Sequence, residues 1–492
     1  MNLLTTFPTG MSDVLSIFPL IVVFFASLLP LIIKSLRQEE QRPIATLLQA
    51  LAGLSFAAGW VFIGADAGNV GAFSNALIID GMSYPAILIV LFAAGASLVM
   101  AHENVNVRGE HYSEFVFLLL SSVVGMMTLI WANDLLVTFI GIEIMSIALY
   151  LLIGMSHEQR LSKEAAFKYF ILGGFSAAIL LYGLAFVFGV SGTTELSVLK
   201  DVSGSLIDSN RLFVVGWLLM MIGFCFKTAI FPFHVWTPDV YQGSATPLTA
   251  FMATAVKTAS FMAFLKFVLF MNFSKSDTIL EVMQWLAILT ILVGNIAALM
   301  QENLKRMLAY SSIAHSGYIL IGIIVSGSGG GEGAVSSVIF YLVAYAIMNL
   351  GAFAVVSIFE KHEDTVLHVD DLKGLGHRHP WVAFGFTLFL LSLAGIPPTV
   401  GFFGKLYLFS TAVAQGYFLL AIWGVIGSVI SVYYYLRPIV TMYMVEGESR
   451  DTVSNVSARA VLVAASVGVI LVGLISSPLF RMIQTSVRQL FN

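Results

Sequence analysis

A single cysteine, Cys225, stands in this chain of 492 residues. No disulfide can close within it. An iron–sulfur cluster, which takes several cysteine thiolates, cannot be ligated by this chain alone. Charge is scarce too: 11% of the residues are Asp, Glu, Lys or Arg, against 58% hydrophobic. A soluble domain carries about 25% charged residues, so a water-facing surface over a chain of this size is excluded. The formal net charge is −4, with no basic arm and no aromatic–basic alternation, so nothing in the sequence recognises nucleic acid. The residue-by-residue alternation of a transmembrane β-barrel is also missing.

What the chain does have is apolar runs of bilayer length, about 20 residues each. About 14 are present, roughly at 12–33, 44–64, 80–100, 113–131, 134–154, 164–188, 211–231, 247–271, 279–300, 306–326, 334–359, 380–414, 417–443 and 458–476. The pattern predicts an all-α polytopic membrane protein. The first run lacks a basic n-region and is too long for a cleavable signal. Connections after odd-numbered runs are rich in Lys and Arg, including Lys34, Arg108, Lys305, Arg306, Lys361 and Arg437. The other side holds Lys200, Arg211, Lys275, Arg481 and Arg488. The basic side is cytoplasmic by the positive-inside rule. Both termini are therefore expected in the periplasm, with the protein in a bacterial inner membrane.

Five lysines fall inside runs: Lys168, Lys227, Lys257, Lys266 and Lys405. Glu143 is the carboxylate well inside one. A central charge costs at least ~2.5–3.5 kcal/mol on insertion scales, and such residues mark ion or proton pathways. Structural ion pairing is the competing explanation, and for Lys168 and Lys266, nearer the ends of their runs, snorkelling is another. Lysine suits proton transfer because burial loosens its hold on the proton and a nearby carboxylate tightens it again. Arginine stays charged and could not serve. Glu143 and Lys227 form the natural switch pair.

Two of these lysines lie beside helix breakers. Lys227 opens the sequence KTAIFPFHVWTPDVY, in which Pro232 removes a backbone donor and clashes with the preceding turn. Lys405 follows Pro397 and Pro398 by eight and seven residues in SLAGIPPTVGFFGKLYLF. A broken membrane helix is tolerated where it is packed in protein or lines a wet cavity; a packing kink alone is the alternative. Glu143 to Lys227 spans 84 residues and His315 to Lys405 spans 90. The two sets are displaced by five runs, and an odd displacement inverts topology, as in inverted-repeat transporters. His234 and His315 can bridge lysines as relays, because histidine titrates near ~6.5; a neutral histidine bonded to a carbonyl is the alternative. The GSGGGEG stretch at 327–333 follows no strand, so it reads as a loop between spans rather than a phosphate cradle. YYYLRP at 433–438 reads as a span end at the cytoplasmic boundary.

Three segments then carry a resemblance: FKTAIFPFHVWTPDVYQGSATPLTAFMATAVK, QENLKRMLAYSSIAHSGYIL and SLAGIPPTVGFFGKLYLF. From about residue 80 to 445 the chain resembles the antiporter-like subunits of proton-translocating NADH:quinone oxidoreductase, respiratory complex I. Lys405, the short tail and FKYFILGG at 167–174 are similar to the N type rather than the M or L types. The resemblance implies two inverted five-helix repeats with broken helices 7 and 12. It divides the chain into an N-terminal three-helix segment (1–111), a first repeat (112–275), a second (276–445) and a C-terminal helix and tail (446–492). It implies proton-transfer roles for Glu143, Lys227, Lys257 and Lys405, relay roles for His234 and His315, and an input-side role for Lys168. It implies a non-redox proton-pumping subunit with no cofactor of its own. FMN, iron–sulfur clusters and the NADH and quinone sites would lie in other subunits. The partners it implies are the M subunit, the small membrane subunits and the lipid bilayer. A multisubunit Na⁺/H⁺ antiporter subunit and a purely structural membrane-arm subunit are the alternatives.

Overall fold

A computed structural model describes residues 10–37, 42–64, 69–104, 106–107, 111–155, 160–272, 276–360, 366–452 and 455–489. Arg108, Lys275 and Lys361 of the charge count lie outside these described residues. The N-terminal segment holds α1 (Met11–Ser16), α2 (Phe18–Arg37), α3 (Pro43–Gly64) and α4 (Ser83–His102). Between α3 and α4 stands an antiparallel hairpin, β1 (Val70–Ala72) and β2 (Leu77–Ile79), with Val70 opposite Ile79. This hairpin is a local addition to an otherwise helical fold, which agrees with the all-α expectation; three-residue strands are too short to leave a period-2 signal.

Next come α5 (Tyr112–Trp131), α6 (Leu135–Gly154), α7 (Arg160–Ser191), α8 (Leu196–Ser209), α9 (Arg211–Thr228), α10 (Trp236–Gly243), α11 (Thr246–Phe251) and α12 (Lys257–Phe270). The rest of the bundle is α13 (Asp277–Leu299), α14 (Leu304–Val325), α15 (Gly331–Phe359), α16 (Leu375–Arg378), α17 (Pro380–Ala394), α18 (Val400–Ala414), α19 (Phe418–Met444), α20 (Val456–Leu474) and α21 (Ser476–Arg488). Among the described residues, 12 helical stretches are long and apolar enough to cross a bilayer. One of them, Leu304–Phe359, joins α14 to α15, whereas α17 and α18 are each shorter. The protein is a multi-pass membrane protein.

The GSGGGEG segment is not a loop of its own. A π-turn at Ser326–Gly330 carries α14 almost directly into α15, with non-helical dihedrals at Ser328 and Gly329. Gly329 has φ 92° and Gly331 φ 58°, a region glycine enters without steric penalty. The chain turns back there, and α14 packs against α15. Both helices are apolar nearly all round and buried on every side, as helices at the centre of a large bundle are.

Close crossings hold the helices that carry the polar residues. A Cβ added at Gly183 of α7 would lie 2.7 Å from the Gly216 carbonyl oxygen of α9, and one at Gly216 would lie 2.9 Å from the Gly183 oxygen. Gly141 of α6 similarly sits against the Leu129 backbone of α5. Without a hydrophobic drive between helices in lipid, small residues permitting such contact are what hold membrane helices together.

Candidate functional site

Both expected helix breaks exist, and they are built alike. α9 ends as Ala229 turns left-handed, at φ 58°. The Ala229 amide then donates to Phe226 O at 3.2 Å and the Ile230 amide to Cys225 O at 2.9 Å. α17 ends at Gly395, φ 87°, with its amide to Ser392 O at 3.0 Å and the Ile396 amide to Leu391 O at 3.0 Å. These are paired Schellman caps. They leave other last-turn carbonyls free to accept from side chains, and those carbonyls form part of the site.

Lys227 stands one residue before the end of α9. Its Nζ donates to Ser146 Oγ of α6 at 2.7 Å and lies 5.6 Å from the Tyr169 ring and 5.8 Å from the Tyr150 ring. Glu143 is one turn before Ser146 on the same helix, and its Oε1 has no hydrogen-bond partner. The structure thus places the expected Glu–Lys pair on neighbouring elements with the lysine bound to a serine instead.

Lys257 follows a π-helical turn, Met252–Val256, of the kind frequent at functional sites. Nothing in the sequence reading foresaw that turn. The Lys257 ammonium donates to Ser312 O, to Ser312 Oγ at 2.5 Å and to Ser316 Oγ at 2.7 Å. Ser316 Oγ in turn donates to Thr228 O, the last carbonyl of α9, at 2.7 Å. One face of α14 therefore ties Lys257 to the first break.

The adjoining face of α14 carries Ser311 and His315. His315 Nδ1 is 2.6 Å from Tyr341 Oη, and Nε2 is 3.1 Å from Tyr435 Oη, which also meets Ser311 Oγ. A neutral imidazole must donate at one nitrogen and accept at the other, so the two tyrosines play opposite parts. Lys405 completes the seam. Its Nζ donates to Leu393 O at 3.0 Å and Ala394 O at 2.9 Å, over the Tyr318 ring at 5.1 Å. The cation sits at the carbonyl end of α17, where the helix dipole favours it. A Cβ added at Gly395 would lie 3.0 Å from Lys405 Cδ. Gly395→Ala should therefore displace the ammonium as well as strain the cap, which costs about 1–2 kcal/mol. Thermal unfolding of the assembled protein is expected at lower temperature than for the parent.

Two expected site residues are not brought into this seam. Lys168 is 40% exposed and pairs with Glu164 at 2.8 Å and Asp239 at 2.7 Å; Asp239 also binds Arg306 at 2.7 Å. It belongs to a partly solvated charge cluster, as snorkelling allows, and is no buried cation. His234 is 8% exposed, but its Nδ1 has no hydrogen-bond partner and its ring lies against Phe231. No hydrogen bond joins it to a lysine among the described residues.

Other residues went unread. Tyr434 and Tyr435 are buried in the core rather than marking a span end, and Tyr434 Oη donates to Asn295 Oδ1 at 3.0 Å. Lys266 does not snorkel: it is 3% exposed and pairs with Asp80 at 3.0 Å. Lys305, counted with the cytoplasmic connections, is fully buried and lies 3.4 Å from Glu360. Hydroxyls and amides within apolar spans were the available signal; a search for formal charge alone passes over them.

Broken helices capped alike, with lysines at the breaks and a polar seam between, define an antiporter-like membrane protein. Residues 132–431 match the family described as NADH:quinone oxidoreductase/Mrp antiporter, TM. The chain is 51% identical to NADH-quinone oxidoreductase subunit N of Bdellovibrio bacteriovorus, over 97% of this chain and 99% of that one. It is 42% identical to the protein of the same name from Trichlorobacter lovleyi, over 90% of each. A chain of respiratory complex I from Thermus thermophilus superposes with a TM-score of 0.81 at 31% identity, over 94% of this chain and 98% of that one. A chain of the Mrp complex from Dietzia sp. shares the fold, with a TM-score of 0.84 at 20% identity over 98% of both. This chain belongs to the NADH-quinone oxidoreductase subunit N family.

Proposed function

We propose that the chain is a membrane-arm subunit of an NADH:quinone oxidoreductase that translocates protons along the Lys227–Lys257–His315–Lys405 seam. Quinone reduction in other subunits drives it. The observation that carries this reading is the hydrogen-bonded link from Thr228 O through Ser316 to Lys257, with His315 on the next face of the same helix. Lysines here are bound to hydroxyls and carbonyls rather than to carboxylates, so no permanent ion pair pins their charge. Glu143, with a free oxygen beside Lys227's partner Ser146, modulates the first lysine electrostatically. Moving one charge against 100 mV takes ~2.3 kcal/mol, within reach of a rearranged buried ion.

On this reading the cytoplasmic side is the input, both termini face the periplasm of a bacterial inner membrane, and segments 112–275 and 276–445 act as inverted halves. The chain itself is non-redox. FMN and clusters reside in other subunits, and the immediate partners are the M and small membrane subunits. The shared fold with an Mrp complex chain favours a second reading, a Na⁺/H⁺ antiporter subunit. Purification separates the two, since flavin and iron–sulfur subunits co-elute only under the first. In proteoliposomes holding the complete complex, Lys227→Ala should lower proton uptake per NADH oxidised severalfold. Normal assembly with unimpaired uptake would exclude Lys227 from the path.

A further inference from the structure

The start of α14 and the end of α15 close together on the joint between α10 and α11. Lys305, fully buried, donates from Nζ to Ser244 O at 2.8 Å, and Ser244 is the residue that caps the end of α10. Glu360 accepts from the Thr246 amide at 3.2 Å, and Thr246 opens the helical span that runs to Phe270. The two side chains meet at 3.4 Å. A cation thus stands at the carbonyl end of one helix and an anion at the amide end of the next, each where the helix dipole favours it. Glu360 Oε2 also accepts from Asn104, just past α4, at 2.7 Å. Arg306, the next residue along α14, binds Asp239 and Gln242 of α10 at 2.7 and 2.9 Å. The seam described above uses neither Lys305 nor Glu360.

The same span meets α14 a second time, at Lys257. Thr246 to Lys257 is 11 residues, Lys305 to Ser316 is also 11, and Lys305 to Ser312 is seven. Eleven residues make about three turns and about 16 Å of rise, and seven make about two turns, so Lys305, Ser312 and Ser316 share one face of α14. That face grips the span at its start and again, the same distance along both helices, at the Lys257 ammonium. Between the two grips lies the π-turn Met252–Val256. A π-turn holds one residue more than an α-turn. Were it to relax, Lys257 would swing by about 100° relative to Thr246, the angular step of one helical residue. A buried ion pair returns little net stability for its desolvation, so stability alone is a weak reason for Lys305 and Glu360.

We propose that Lys305 and Glu360 are positioning residues of the proton path: they lock the α10–α11 joint to α14 and so keep Lys257 on Ser312 and Ser316. The proposal rests on the proton-path reading above. Neither residue carries the proton itself. Held at Ser244 and Thr246, the span can neither slide along α14 nor unwind its π-turn, and the Lys257 ammonium keeps its serine oxygens. Released, Lys257 loses acceptors that favour its charged form, and it yields its proton at lower pH.

The test uses the whole complex in proteoliposomes, with proton uptake per NADH oxidised followed across pH and a native gel for assembly. Lys305→Glu with Glu360→Lys restores an ion pair but sets the cation at the Thr246 amide and the anion at the Ser244 carbonyl. Lys305→Met with Glu360→Gln removes both charges together, which a purely structural pair tolerates. Glu360→Asp is the mildest change, keeping the charge and drawing the carboxylate back by one methylene. The titratable groups around Lys257, namely His315 of α14, Tyr345 of α15 and Tyr241 of α10, are untouched in all three. The two double variants should lower the ratio severalfold and move its alkaline limit down by about one pH unit or more, the worth of a lost hydrogen bond to a charged group. Glu360→Asp should shift both in the same direction by less. A wild-type profile in either double variant, or in Glu360→Asp where those two do not assemble, overturns the proposal. So does a lowered ratio with an unmoved alkaline limit, because a pair that only stabilises the fold leaves Lys257 on its serines. Lys257→Arg, which keeps the charge but releases no proton, is measured in parallel. If it pumps normally, the underlying proton-path reading fails; if it is impaired while the Lys305 and Glu360 variants are normal, only the positioning role falls.

Discussion

Lys405→Arg is expected to assemble normally and to lose proton translocation through the second half, by about 10²–10⁴-fold, the usual effect of removing a positioned proton-transfer group. Arginine keeps a charge for the Leu393 and Ala394 carbonyls and the Tyr318 ring, so the cap of α17 stays occupied. It fails as a relay because it does not give up its proton. Lys405→Met fails differently. It abandons two hydrogen bonds from a charged donor, worth about 1.5–3 kcal/mol each, at a helix end that the Gly395 cap does not otherwise close. The methionine variant should therefore show both a pumping defect and a lower unfolding temperature, whereas the arginine variant shows only the first. Two variants with equal unfolding temperatures would contradict the proposed anchoring of the ammonium.

His315→Leu is the second change of large effect. His315 is the titratable group placed between Lys257 and Lys405 on α14, and its two nitrogens face Tyr341 and Tyr435. Leucine removes the relay and leaves the Tyr341 hydroxyl without its histidine partner, at about 1–3 kcal/mol, while Tyr435 keeps Ser311. Uptake should fall by about 10²-fold or more. Tyr435→Phe breaks only the longer of the two contacts, and Ser311 loses its partner as well. That variant should keep most of its uptake. An equal loss in both would mean that the tyrosine, not the histidine, transfers the proton.

Much of this was legible before any coordinates. Scarce charge forced the bilayer, and the prolines near Lys227 and Lys405 located both breaks because ring geometry acts locally. Glu143, Lys257 and His315 stood out as polar groups in apolar surroundings. What escaped notice depends on partners far apart in sequence. Asp80 and Lys266 pair across 186 residues, and Lys305 and Glu360 across 55; no single-sequence periodicity reports such distances. For Lys168, distance from a span end, read along the sequence, does not decide between a buried role and snorkelling, because it does not say which way the long side chain points; its half-exposed pairing with Glu164 and Asp239 is the snorkelling geometry. For His234, a proline beside it signals a break without saying what the ring will face, here Phe231. The π-turn before Lys257 has no composition signature at all: MATAV reads as ordinary helix.

Ser316 occupies a peculiar position. Its oxygen receives the Lys257 ammonium while its hydrogen has the terminal carbonyl of α9 at 2.7 Å, nearer than Ser312 O at 3.1 Å. On the proton-path reading, loss of the Lys257 charge weakens the polarisation that strengthens the outgoing bond to Thr228, and the capped end of α9 is held less firmly. Lys227, one residue inside that end, rides on the same backbone. A single hydroxyl would thereby convert an electrical event on one span into mechanical slack on another, letting two lysines keep time without touching.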